Sequence, residues 1–462
     1  MREQKTIVDG VEFESIFQFQ KIFGAVASSL QPARMLVAFV MVLVLLASGY
    51  VLDSISTVDA TTLGTSLTQE EVKQKRALAI AQAATAFGHS APAGSSEWTV
   101  YGAKSYVLQA WQDFLYEGDA TKEDHADFEK IYLALESARP RGPFEQSSNF
   151  VSNAWTRIVD GGLQLDAVQM WQGVVAIVWE LPQLLWNGGY HWFISVYGFL
   201  LIYVLCIGGG AISRMQACWF SRENHMRLSE AIDFSMARWR ELLAAVFGPA
   251  MLVAALTIVL MLMGLLLLNI PWLNFLGGLL YGVSLLLGFC IAIIAVGYAA
   301  CFPMIIPAVV VENCSGGEAI QRSFAYLFSK TLHYFGYIFV LIVSLVLGYL
   351  VVRLIANLTL DITANIVGAT TFNNSLHGAG SLQLETVPIV GMAWYESGAG
   401  FLIALWETIV HDLMIGWVFS GFFSTSTMLY LLMRKASDGQ DTRDLWSRGI
   451  LQGTNVVDNA ED

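Results

Sequence analysis

One charged cluster stands inside an apolar run and is the part of this chain best placed to do chemistry. Glu407 and His411 are four residues apart, so on a helix they share a face, and Asp412 is adjacent. A carboxylate and an imidazole held together away from water can relay protons or bind an ion, and ionisable groups within a bilayer are read first as functional. The same residues on an interfacial helix over 400–412 would simply meet water, and Trp394, Trp406 and Trp417 bracket the stretch as an interface belt does. Both readings stand. A metal site would need further ligands, and no second cluster supplies them.

The other candidates lie in a pattern that occurs twice, each time between two long apolar runs. One copy is Glu223-Asn224, then Glu230-Ala231-Ile232 and Ser235; the other is Glu312-Asn313, then Glu318-Ala319-Ile320 and Ser323. Ser315-x-x-Glu318 is a capping box that opens a helix, with Ile320, Phe324, Leu327 and Phe328 on one face and Ser323 expected on or near the polar side with Arg322. The first copy is one residue longer and has Arg227 where the capping serine would be. Each copy is an elbow that turns the chain between spans, or the pair forms a docking or headgroup surface through Glu312, Glu318 and Ser323.

No catalytic constellation appears elsewhere: no nucleophile elbow, metalloprotease helix, P-loop or dinucleotide fingerprint. No cofactor is expected. Gly208-Gly209-Gly210 has no strand before it, so it reads as packing or a hinge, and Gly277, Gly278 and Gly282 read as close helix packing. A net charge of −13 without a basic stripe argues against a nucleic-acid partner. Cys206, Cys218, Cys290, Cys301 and Cys314 all fall in apolar runs or repeat loops, outside 53–190 and 356–400, so no disulfide is expected there.

The elements that must position these residues are membrane spans. Apolar residues make up 55% of the chain and charged ones 14%, against about 25% charged in a soluble domain. No Lys or Arg occurs between Arg34 and Lys73, Arg157 and Arg214, Arg240 and Arg322, or Arg353 and Arg434. Six spans fit, at 35–52, 192–212, 243–268, 276–301, 333–355 and 413–433, each near the roughly 20 residues a bilayer core requires. The predicted fold class is all-α: a polytopic membrane helix bundle with an internal two-span repeat near 192–268 and 276–355, plus a small helical extracytoplasmic domain. Arg2, Lys5, Lys21, Arg34, the arginines from Arg214 to Arg240, Arg322, Lys330 and the cluster from Arg434 to Arg448 all fall on one side when both termini are cytoplasmic.

The chain therefore divides into a cytoplasmic amphipathic segment (1–34), an uncleaved anchor (35–52), an extracytoplasmic region with an interfacial collar (53–190), a five-span membrane domain (191–435) and a cytoplasmic tail (436–462). In the first segment, residues 13–30 form an amphipathic helix, in the membrane plane or packed on the bundle. Within 53–190, Thr68-x-x-Glu71 opens a helix to Phe87 and Thr121-x-x-Asp124 one to Ala138, with Pro140 to Pro143 as a stop. Residues 165–186 place Val168, Trp171, Val175, Val178, Trp179, Pro182 and Trp186 on one stripe, broken by Glu180 and Pro182 and too short to span: a collar at the interface. Pro303 and Pro307 are expected to kink or end the fourth span.

The pattern Pro303…Pro307…Glu312, then Glu318-Ala319-x-x-x-Ser323, resembles the repeated unit of bacterial polytopic proteins related to the membrane domain of glycerophosphodiester phosphodiesterases. The ending Ser424-Thr425-Ser426-Thr427-Met428-Tyr430-Leu431-Leu432-Arg434, with Asp438-Gly439 beyond it, is similar to uncharacterised bacterial membrane proteins. The resemblance covers 190–435. The phosphodiesterase catalytic domain has no counterpart, so the resemblance implies a membrane-embedded helper or scaffold. The expected partners are the lipid bilayer and proteins of a membrane complex in the bacterial inner membrane. A transporter or lipid-handling permease is the alternative, and a membrane-surface enzyme the third reading.

Overall fold

A computed structural model describes residues 20–55, 69–88, 100–117, 122–137, 139, 141–164, 166–222, 226–270, 272–370 and 394–446. Among these residues the regular elements are helices, without strands. Six helices are long and apolar enough to cross a membrane: Pro32–Ile55, His191–Ser221, Trp239–Leu268, Leu273–Glu312, Thr331–Thr370 and Gly398–Asp438. The protein is an all-α polytopic membrane bundle.

The helices overrun the spans expected from hydropathy. Two run for 40 residues and one, Trp394–Asp438, for 45, about 60–70 Å at 1.5 Å rise per residue, against a hydrocarbon core of about 30 Å. An apolar run locates lipid contact, but a helix continues until its backbone ladder is broken. Residues 400–412 are accordingly no separate interfacial helix but part of one continuous rod. Pro303 and Pro307 also lie inside a helix that continues to Glu312 and stops only at Asn313, which turns left-handed at φ 55°. Arg34, Arg214 and Arg434, expected as flanking charges, are in helices too.

The chain packs as two units. The first comprises Met1–Val42, Leu201–Leu350 and Ile415–Asp462. Its helices, wholly or in part, are α1 (Gln20–Ser28), α2 (Pro32–Ile55), α9 (His191–Arg222), α10 (Leu228–Ala237), α11 (Trp239–Met263), α12 (Leu273–Glu312), α13 (Gly316–Ser329), α14 (Thr331–Thr370) and α15 (Trp394–Asp438). Three stretches are buried on every face: 208–217 of α9, 304–312 of α12 and 423–434 of α15. A helix apolar or small all round belongs in such a core. From the N-terminal amphipathic segment, α1 buries Ile22 and Ala25 in the same core; residues 13–19 of that segment lie outside the described residues.

The glycine triplet has a packing role, because each glycine receives a different neighbour. A Cβ on Gly208 would strike Met41 of α2, one on Gly209 the Phe423 ring of α15, and one on Gly210 Ser235 of α10 and Leu242 of α11. Of the later glycines only Gly277 is tight, against Leu267 and Leu268; Gly278 and Gly282 face open space. Gly209→Val should therefore destabilise the detergent-solubilised protein by about 1–3 kcal/mol through overpacking, whereas Gly278→Val leaves the unfolding temperature near that of the parent.

The second unit comprises Leu43–Leu200 and Val351–Met414. Helices α3 (Gln69–Ala86), α4 (Val100–Glu117) and α5 (Lys122–Ser137) close on an aromatic core in which the Trp111 ring lies 5.1 Å from Phe87 and 5.0 Å from Phe128. The proposed caps Thr68 and Thr121 lie outside the described residues. Helix α4 and α6 (Pro143–Gln164) have no clear signal in the sequence. Pro143, expected in a stop, is instead the first residue of α6, where its missing N–H costs nothing and its fixed φ suits a helix start. Next come α7 (Ala167–Val175), a π-turn (Ala176–Glu180) and α8 (Leu181–Asn187).

Candidate functional site

The candidate residues of the first unit converge where α12 ends. Beyond Asn313, the Ser315 hydroxyl accepts the Glu318 N–H at 3.3 Å and opens α13 as the capping pattern predicts. Glu241, in the first turn of α11, accepts the Gly316 N–H at 2.8 Å, placing a carboxylate on the positive end of α13. The apolar stripe of α13 meets glycines: Ile320 packs on Gly248 of α11, and Phe324 on Gly297 of α12. Helix α10 has no side-chain cap at Arg227, as expected where arginine replaces the capping serine. Glu223 and Asn224 of the first copy lie outside the described residues.

Glu312 is the centre of a charge network. Its side chain is 2% exposed and ion-pairs with Arg322 of α13, while its Oε1 accepts the Tyr430 hydroxyl of α15. Arg322 also reaches Glu318, one turn back, at 2.6 Å. Tyr326 of α13 donates to Asp438 of α15 at 2.5 Å. Burial, and then Asp438 itself, push the Tyr326 hydroxyl well above the ordinary phenol range, so it stays a donor. Cys314 is pushed up to about 11 by burial and then by Glu318, and is an unreactive thiol.

Ser323 differs from expectation. It is fully buried, not on the polar side with Arg322, and its hydroxyl has no hydrogen-bond partner among the described residues. Ser235, its counterpart in the first copy, is the same. Removing a lone buried hydroxyl removes a desolvation penalty, so Ser323→Ala should leave stability unchanged or slightly raised in a thermal unfolding assay.

Three further arginines in this unit are buried, and each bonds backbone carbonyls. Arg34 donates to Ser28 O at 2.8 Å and to the Gln216 side chain. Arg214 donates to Val310 O and Trp446 O, both at 2.8 Å. Arg434 donates to Asp441 O at 3.0 Å and Asp444 O at 2.6 Å. The last carbonyls of α12 lack intrahelical donors; Arg214 takes that of Val310, and the Trp446 N–H that of Val311 at 3.2 Å. The segment after α15 is thereby tied across the end of the core.

In the second unit the remaining candidates share one helix, α15. Glu407 is half-buried, His411 exposed and Asp412 buried. Trp406 is exposed, but Trp417, expected with it in an interface belt, belongs to the first unit and packs its buried ring on Gly348. The Trp394 side chain lies outside the described residues. Among the described residues no group of His, Cys, Asp or Glu has metal-binding geometry.

No family model, no curated protein and no solved structure matches the chain.

Sequence reasoning singled out Glu312, Glu318 and Ser323 in this region, read Arg322 as a topology charge beside Ser323, and gave Tyr430, Tyr326 and Asp438 no role of their own. It also read Arg34, Arg214 and Arg434 only as topology signals. One cue was present for Arg434: it directly follows an apolar run without a Gly or Pro between, so the helix carries it on.

Proposed function

We propose that the protein is a non-catalytic integral membrane scaffold or accessory subunit of a bacterial cytoplasmic membrane, with both termini cytoplasmic. The observation that carries this reading is the engagement of Glu312 by Arg322 from one helix and Tyr430 from another. A buried carboxylate that ion-pairs with one neighbouring helix and accepts a hydroxyl from another fastens those helices together. The order span, short helix, span occurs twice, at α9–α11 and α12–α14, and we read it as one duplicated unit whose short helices are structural elbows. The partners are the lipid bilayer and proteins of a membrane complex. Mild-detergent purification with cross-linking mass spectrometry should recover the same partner proteins across preparations; recovery of the chain alone, stabilised by a small-molecule substrate, would overturn the reading. For the orientation, cysteines at Ser95 and Ser381 in a cysteine-free background should react with an impermeant maleimide in spheroplasts, and one at Ser437 only after lysis.

One observation favours a permease as the second reading. Asp412 is buried in a helix apolar enough to cross a membrane, with Glu407 and His411 within the same two turns. Proton flux into reconstituted vesicles that is lost in both Glu407→Gln and His411→Gln would replace the scaffold by a transporter.

A further inference from the structure

The helix formed by α7, the π-turn and α8 carries large apolar side chains on an open face. Val168, Trp171, Val178, Trp179 and Trp186 are each more than half exposed. Residues 167–187 contain no Lys or Arg, and Glu180 is their sole carboxylate. Pro182 has no N–H for the ladder. The π-turn just before it, closed by the Leu181 N–H on Ala176 O, lets the helix run on past the proline.

This helix is tied to the ends of two membrane-crossing helices. Its last turn closes in a Schellman motif: the Gly189 N–H bonds Trp186 O at 3.1 Å, the Tyr190 N–H bonds Leu185 O at 3.0 Å, and Gly189 takes φ 80°. Helix α9 starts at the next residue, His191. A three-residue link reaches at most about 10 Å, so Trp186 lies close to the start of α9. The second tie runs through α6, which packs along α7. Asp53, near the end of α2, accepts the Phe144 and Glu145 N–H groups at 2.7 and 2.9 Å and so caps α6. Gly142 gives the Asp53 carboxylate room that a Cβ would fill. Phe144, Leu185 and Phe193 then form a buried cluster with Leu52 and Tyr197, joining all these helix ends.

We propose that residues 167–187 form a rigid in-plane helix whose tryptophan face rests in the interfacial zone of the bilayer crossed by α2 and α9. The occupant of the face is lipid. Tryptophan has an apolar ring and one polar N–H, which suits the headgroup level, and the helix is fixed to two spans at the depth where they emerge. Its seating is thus set by the fold, without the cationic side chains by which a freely binding amphipathic helix is drawn to anionic lipid.

The test uses the full chain in nanodiscs of a zwitterionic phospholipid. In a background without native cysteines, an environment-sensitive fluorophore is attached at Val178→Cys, and at Thr156→Cys on an exposed position of α6 as control. The label at 178 should emit at shorter wavelength than the control and be quenched by a lipid spin-labelled near the headgroup more than by one labelled at the chain end. It should also lose the iodide quenching that the control retains. Equal iodide access at the two positions would overturn the proposal, as would a blue-shifted label that neither spin-labelled lipid quenches, since that face would then be covered by protein. Trp179→Ser, which should fold because its ring is exposed, should shift the label at 178 toward water.

Discussion

Arg322→Ala should destabilise the folded protein by about 3 kcal/mol, and Glu318→Ala, only one turn away, by less than about 0.5 kcal/mol. Both changes break an ion pair of the same guanidinium, so the contrast isolates burial. Glu318 is exposed, and losing its i,i+4 pair leaves a partly solvated guanidinium that still pairs with Glu312. Glu312 is 2% exposed, and without Arg322 its charge keeps only the Tyr430 hydroxyl. Arg322 itself is 34% exposed, which sets the lower end of the range observed for breaking buried pairs. Glu312→Gln should cost less than Arg322→Ala, because the amide oxygen still accepts from Tyr430 while Arg322 keeps Glu318 and water. In the Glu312→Gln background, Arg322→Ala should then add little, a non-additivity that a double-mutant cycle reads directly. Equal effects of Arg322→Ala and Glu318→Ala in thermal or denaturant unfolding would mean that water reaches Glu312 and that the network is no fastener.

What the sequence discloses here follows from how local each cause is. Six spans were legible because about 20 apolar residues announce a bilayer crossing whatever surrounds them. The Ser315 cap was legible because donor and acceptor lie within one turn. The stripe at 167–186 was legible as helical for the same reason, but the break expected at Glu180 and Pro182 is absorbed by the π-turn, and the helix runs on to Asn187. The ends of the spans were not legible, because nothing local stops α12 at Pro303 or separates 400–412 from the rest of α15. The charge network was legible only in part. Glu312 and Arg322 are ten residues apart, but Tyr430 comes from 118 residues away, and no pattern in a single sequence couples them. Ser323 was misplaced because a helical wheel ranks it with its polar neighbour, whereas the packing of α13 against α11 and α12 decides which side is covered.

Arg214→Ala should cost about 3–5 kcal/mol, since it removes two charge-assisted hydrogen bonds of about 1.5–3 kcal/mol each, with incomplete additivity. The loss is also local, which separates it from a general packing defect. Arg214 joins α9 to the end of α12 through Val310 O and to the segment after α15 through Trp446 O. Its guanidinium lies 4.6 Å from the Phe234 ring, and that ring lies 6.3 Å from Trp446. Without the guanidinium one buried and one partly buried carbonyl lose this donor, and the Trp446 N–H bond to Val311 O remains between the segment and α12. Hydrogen exchange at 439–446 should therefore accelerate well before the helices of the core lose protection. Arg214→Lys makes the test sharper. An ammonium keeps the charge, but it is a single point on a flexible stem and cannot span two carbonyls as a planar fork does. The lysine variant should keep the core intact and still release 439–446, to an extent between parent and alanine. If lysine protects that segment as well as arginine does, charge near the end of α12 suffices, through the dipole alone. If instead alanine leaves exchange at 439–446 unchanged, the tie lies elsewhere, and Arg434, with its bonds to Asp441 O and Asp444 O, is the residue left to carry it.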